Sequence, residues 1–407
     1  MKHRKSLLIL LLIFALTACT QPTAAPSATL PPPTRTPAPT ASATASATPV
    51  PPTATPSPVP TLTPTPTATP PPVRLVQWAE WELDRISSAA WLPDSQSIVF
   101  SGYEAPEWGD PRTYRYTIDP LQQSWQIDDV GYSLAVNPDG SVIAGDGGLG
   151  LTLWDAQSGQ VIRGPYGGYA GSGSSFPAFL PDGPGLLVGQ TGFYYMGSSE
   201  TQITLWDYEQ SEYDPVSESL MIESDGWMAD MAISPDGELL TAALDNLLGE
   251  DGLEHSQVAI WDLATNSQRC TILGDDFALS PTEKIVAVSN YRFEGSIGGS
   301  REKDDLILYD TDTCQPLRTI YQSSYIADFA YSPDGKTLAL AIPFGDDTYS
   351  IILVDAATGE LLYEQRGLWN GIWQLTFSPD GKYLLSIENY GTQSKLHIWQ
   401  VILAPGP

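Results

Sequence analysis

Three carboxylates stand at one repeated position of the chain. Asp230, Asp276 and Asp328 each lie five residues before a proline, Pro235, Pro281 and Pro333. Converging carboxylates bind a hard, oxygen-liganded cation such as Ca²⁺, or receive a Lys or Arg from a partner. The alternative is structural: a polar side chain at a repeated position satisfies neighbouring backbone groups. Other chemistry finds little support. The residues after the N-terminal segment hold two histidines, His255 in an acidic loop and His397 in an apolar stretch, neither in metal-ligand spacing. A nucleophile elbow, a zinc-protease helix and a phosphate-cradling loop are all missing from the sequence. An enzyme is therefore unmotivated, although carboxylates alone, with a metal or as paired acids, can hydrolyse esters or glycosides.

The elements that must carry these acids repeat seven times. Each repeat is a short apolar run, a Pro, usually Asp-Gly, and a second apolar run, as in "MAISPDGELLTAA" and "FAYSPDGKTLALA". The prolines are Pro93, Pro138, Pro181, Pro235, Pro281, Pro333 and Pro379, spaced 45, 43, 54, 46, 52 and 46 residues apart. Pro sets the first turn dihedral, Asp tolerates the next corner and Gly takes the positive φ, so the triplet joins two strands tightly. A third strand follows, ending in an apolar or aromatic residue and Asp: "LTLWDAQSG", "ITLWDYEQS", "VAIWDLATN", "LILYDTDTC", "IILVDAATG". In the next turn the Asp accepts hydrogen bonds, with Gly159 or Gly359 as the left-handed residue, before a fourth strand such as "ELLYEQ".

A period near 46 residues built of four short strands predicts an all-β, seven-bladed β-propeller over residues 73–407. It resembles the WD-repeat propellers through Trp154-Asp155, Trp206-Asp207 and Trp261-Asp262. The usual Gly-His dipeptide is absent, and Ile118, Tyr309 and Val354 replace the tryptophan, so that family's hydrogen-bonded tetrad is not intact. "SPDGKTLALA" followed by "IILVDAATGE" is equally similar to the Tol-Pal translocation propeller and its bacterial surface relatives.

The last repeat ends on "LHIWQ", a third strand, and leaves its fourth to be found elsewhere. Superposing Pro379 on Pro93 lays residues 360–365 over 74–79, so "RLVQWA" should zip onto the end of the chain and close the ring. Alternation points Asp230, Asp276 and Asp328 at the channel mouth; the other repeats offer Ser88, Ser133, Phe176 and Gln374 there.

The connections between second and third strands, and those between blades, are long and rich in aromatics, whereas the Pro-Asp-Gly turns at the opposite end are minimal. Trp108, Tyr169, Tyr194, Tyr195, Trp227, Tyr291, Phe293 and Trp369 are the residues expected to meet a partner, since rings give stacking area with a polar tip. The competing role for these rings is to pack their own loops down. A protein or peptide partner is expected first, with a glycan as the alternative and a Ca²⁺-dependent hydrolase using the channel acids as a third.

Before the repeats, Lys2, Arg4 and Lys5 precede an apolar run from Leu7 to Leu16, too short to span a bilayer, which has the form of a secretory signal. It closes on Leu16-Thr17-Ala18-Cys19, similar to the bacterial lipobox, implying a signal over residues 1–18 and a lipidated Cys19. Residues 19–72 then form a Pro/Thr-rich spacer: from Thr20 to Pro72 there are 18 prolines, 15 threonines, one basic residue and no acid. Such a segment buries no core, is expected to be disordered and polyproline II-like, and reaches at most roughly 160 Å. An extracytoplasmic, lipid-anchored, surface-exposed monomer is the expectation, meeting the membrane through its lipid alone. All 48 acids lie after residue 72 against 15 Lys and Arg, a net of −33, which argues against nucleic acid and favours basic partners or cations. Cys270 and Cys314 fall in neighbouring repeats; the sequence leaves open whether they pair.

Overall fold

The computed structural model describes residues 73–403 except 104–110, 130, 148–149, 168–174, 194–198, 210–221, 249–253, 293–302, 324, 345–347, 369–370 and 391–392. The described residues form seven antiparallel sheets of four strands each. Six sheets take their strands consecutively from the chain, with the first strand innermost and the fourth outermost. Their innermost strands are Arg85–Trp91, Leu134–Val136, Ser175–Phe179, Trp227–Ile233, Asp276–Leu279 and Asp328–Tyr331. Blade seven runs outward from Ile372–Phe377 through Tyr383–Tyr390 and Gln393–Leu403, and its outermost strand is Val73–Leu83.

That closing strand pairs antiparallel with the last, from Val73 opposite Leu403 to Leu83 opposite Ser394, with an irregularity between Gln77 and Ala79. The expected closure is thus observed. Val73, Leu75 and Ala79 are buried by it, and the strand Gln393–Leu403 gains a pairing partner on its outer side.

Burial follows strand position. Middle strands lie between neighbouring sheets and have both faces covered, so their sequences are continuous apolar runs rather than alternating ones. Every residue of Ser97–Tyr103 is buried, whereas the outer strand of the same blade, Leu121–Ile127, is almost wholly exposed. The core is a set of apolar clusters between adjacent blades; one joins Leu75, Leu384 and Trp399 of blade seven to Ala339, Ile351 and Leu353 of blade six.

The turns are built from their own side chains. In Ser234-Pro235-Asp236-Gly237 the Ser234 hydroxyl donates to Asp236 Oδ1 at 2.5 Å and accepts the Leu239 N–H at 2.9 Å, while Gly237, at φ 72°, donates its N–H to Ser234 O. The arrangement recurs at Ser332-Asp334 and Ser378-Asp380. Four blades depart from it: Ser95 takes the left-handed place in blade one, Asn137 replaces the serine in blade two and accepts the Val142 N–H at 2.8 Å, Leu180 stands at that place in blade three, and blade five, with Pro281-Thr282-Glu283, turns on Ser280 Oγ instead.

At the third-to-fourth turns, Asp155, Asp262, Asp310 and Asp355 each accept both the N–H and the hydroxyl of the Ser or Thr three residues on, at 2.6–2.9 Å. Gly159, Asn266, Cys314 and Gly359 follow in the left-handed region. Cys314 is bonded to Cys270, on the outer strand Ser267–Leu273 of blade four, with Cα atoms 6.4 Å apart. The disulfide joins the outer edges of two neighbouring blades.

Candidate functional site

The seven residues five places before the repeat prolines lie on or just before the innermost strands, and three of them reach across to the next blade. Ser88 Oγ accepts the Leu134 N–H at 3.1 Å. Asp328 accepts the Leu375 N–H. Gln374 closes the circuit: its Oε1 accepts the Ala89 N–H at 3.1 Å and its Nε2 donates to Ala89 O at 2.8 Å. In every case the backbone group belongs to the residue just after the equivalent position of the next blade. At these three positions the polar residue laces one blade to the next, as the structural alternative required.

Asp230 and Asp276 instead accept the N–H of their own successors, Met231 and Phe277, both at 2.7 Å. Asp230 is open to the channel and Asp276 is half-buried, yet protein surrounds both and solvates them poorly. Burial pushes the Asp230 carboxyl up to about 6. It pushes Asp328 up to about 8, against hydrogen bonds from Leu375 and Phe329 and one with Asp276. Asp276 is held well above the usual carboxylate range by burial first, then by repulsion from Asp328 and Asp230. The three acids sense one another, and burial together with the Asp276–Asp328 hydrogen bond favours the protonated form of this pair over two full charges. Among the described residues, no group of three or more His, Cys, Asp or Glu side chains is arranged to hold a metal ion.

Of the aromatic residues expected at the rim, Trp108, Tyr169, Tyr194, Tyr195, Phe293 and Trp369 lie outside the described residues. The backbone of Tyr291 belongs to the strand Ile285–Arg292, and Trp227 is half-buried at the start of its blade. Cys19 also lies outside the described residues.

The structure shows a site at this same end that the sequence did not reveal. A cavity of about 390 Å³ lies where blade six meets the seam of blade seven. Its walls are the close of the strand Leu361–Leu368, the residues flanking the second-to-third connection of blade seven, and the closing strand. At its floor is His397, 6% exposed, stacked on Trp399 with ring centroids 5.2 Å apart. Trp399 is itself pinned by its Nε1–H donating to Ser386 Oγ at 2.9 Å. His397 Nε2 is 3.1 Å from Glu388 Oε1, and its Nδ1 is 3.4 Å from Glu80 Oε2. Lys395 lies 3.3 Å from Glu80 and 3.8 Å from Glu82, and Arg366 lies 2.6 Å from Glu364 and over the ring of Phe344.

Ring closure completes this group. Glu80 faces His397 directly in the pairing of the closing strand with the last, and Glu388 faces Lys395 from the other side. The signal available in the sequence was indirect: the closure register, once drawn, sets an acid opposite a histidine.

No protein-family model matches the chain, and no curated protein proved similar to it.

Proposed function

We propose that the protein is a lipid-anchored display propeller, held outside the cytoplasm by Cys19 and the Pro/Thr-rich spacer, that binds a protein or peptide partner with the rim of long connections. The propeller fold is suited to such scaffolding but hosts many activities, so the reading rests on the site. The observation that carries it is the polar cavity between blades six and seven, which opens beside the connections of that rim while the opposite end is closed by minimal turns. The Cys270–Cys314 disulfide supports an oxidising compartment. The acidic domain supports a partner of basic character.

Photo-crosslinking on whole cells tests it. A crosslinking residue at Gln393, exposed beside the cavity rim, should capture a discrete partner, whereas one at Ala357, exposed in a turn at the opposite end, should not. Equal capture from both positions, or none from Gln393, refutes the reading.

A further inference from the structure

The innermost strands of blades five and six each begin with an acid at the rim end of the channel, Asp276 in Asp276–Leu279 and Asp328 in Asp328–Tyr331. The two side chains are hydrogen-bonded to each other across the gap between the blades. Two ionised carboxylates are acceptors only, so such a bond exists only while one of them carries a proton. Their bonds to the backbone do not span the same gap. Asp276 Oδ1 accepts the Phe277 N–H of its own strand at 2.7 Å, and Asp328 accepts the N–H groups of Phe329, in its own strand, and of Leu375, in blade seven. These bonds survive ionisation, because a carboxylate accepts an N–H better than a neutral acid does. The contact between blades five and six does not.

The surroundings offer no cation in place of the proton. The charged groups that act on the pair are Asp230, on the innermost strand of blade four, and Asp275, which accepts the Ser289 hydroxyl at 2.8 Å. From blade seven the neighbour is Gln374, neutral and bonded to the Ala89 backbone. Among the described residues, no Lys, Arg or His is one of the groups acting on the two carboxyls. Two full charges at hydrogen-bonding distance in this poorly solvated place repel each other strongly.

We propose that Asp276 and Asp328 form a proton-held clasp between blades five and six, closed at neutral pH and below and released in alkaline solution. The folded clasp keeps a proton that the unfolded chain gives up, so its contribution is complete at low pH and is lost as pH rises. Release lets the heads of the two strands part at the end of the channel that carries the long connections. The clasp needs no partner, so it stands apart from the partner-binding reading.

Amide hydrogen exchange of the full protein, read by mass spectrometry and corrected for the intrinsic pH dependence of exchange, tests this between about pH 6 and about pH 9. The strands Asp276–Leu279 and Asp328–Tyr331 should lose at least about tenfold in protection across that range, whereas Leu134–Val136 of blade two, preceded by Ser133 at the equivalent place, should not. Asp276→Asn keeps the shape and supplies an N–H that Asp328 accepts at any pH, so protection in this variant should stay level. Asp328→Asn supplies the same donor from the other side while its carbonyl oxygen still accepts the Leu375 N–H, and it should behave alike; it also serves if the first variant does not fold. An unchanged protection in the wild type, or the same alkaline loss in either Asn variant as in the wild type, overturns the proposal.

Discussion

Breaking the Cys270–Cys314 disulfide should have different costs depending on which cysteine is changed. The bond closes a loop across 44 residues of sequence. The chain entropy it withholds from the unfolded state corresponds to about 4 kcal/mol at 25 °C. For a domain of 335 residues the unfolding entropy is large, and that loss lowers the melting temperature by about 6 °C. Cys270→Ser should show this loss in full. Cys314 differs, because it occupies the left-handed turn position at φ 57°, which a side chain adopts at a cost of about 1 kcal/mol. Cys314→Gly therefore loses the cross-link but relieves the backbone, for a net of about 3 kcal/mol and a fall of about 4 °C. Differential scanning calorimetry of both variants and the wild type, with and without reductant, reads the ordering: wild type highest, Cys314→Gly next, Cys270→Ser lowest. Reductant should lower only the wild type. A Cys314→Gly melting at or below Cys270→Ser would refute the turn argument, and a Cys270→Ser within 1 °C of wild type, on the order of measurement error, would refute the cross-link argument.

Removing residues 73–80 takes Val73, Leu75 and Ala79 from the core, where Val73 and Leu75 alone contribute about 4 kcal/mol, so the entire propeller should melt at least about 5 °C lower; an unchanged transition would contradict ring closure. The channel acids give a pH dependence of definite sign: the folded protein retains protons that the unfolded chain releases near pH 4, so stability is complete below that value and falls as pH rises through about 6 and 8. Asp328→Asn should flatten denaturant-derived stability between pH 5 and 8 by about 1 kcal/mol per pH unit, somewhat below a full proton's worth because channel water still reaches the site; an unchanged slope would mean these acids ionise freely. Calcium at millimolar concentration should leave the melting temperature unmoved, and a saturable rise abolished by Asp276→Asn would instead make the channel acids a cation site. Cys19→Ser should release the protein from the membrane fraction, and retention there would disprove lipid anchoring.

Blade number and strand order were legible because the information is local. A Ser-Pro-Asp-Gly turn is held by its own side chains, as Ser234 and Asp236 show, and a sequence prints such contacts next to one another. Closure was legible by subtraction, since a repeat lacking one strand and an unclaimed strand at the other end have a single solution. The position of the channel acids was legible too, but their role depended on lateral geometry: Asp328 reaches Leu375 in the next blade, 47 residues away. The disulfide and the cavity were beyond the sequence for the same reason. Pairing of Cys270 with Cys314 depends on how far one blade is rotated from the next, and His397 looked like any strand residue until Glu80 arrived from the far end of the chain. Of the rim aromatics, the described residues bear only on Trp227, which packs half-buried at the start of its blade.

The seam also fixes an order of events. Val73 is made early and its partner, Leu403, is the last residue of the final strand, 330 positions later. Until that partner has been synthesised and has emerged, the closing strand has nothing to pair with, and the Glu80–His397 contact does not exist. A chain stopped short leaves both sides of the seam as bare strand edges, which recruit other strands and invite aggregation. The propeller thus carries its own test of completeness: only a chain translated through Leu403 pairs its final strand with the closing one, and the cavity forms where those two strands meet blade six.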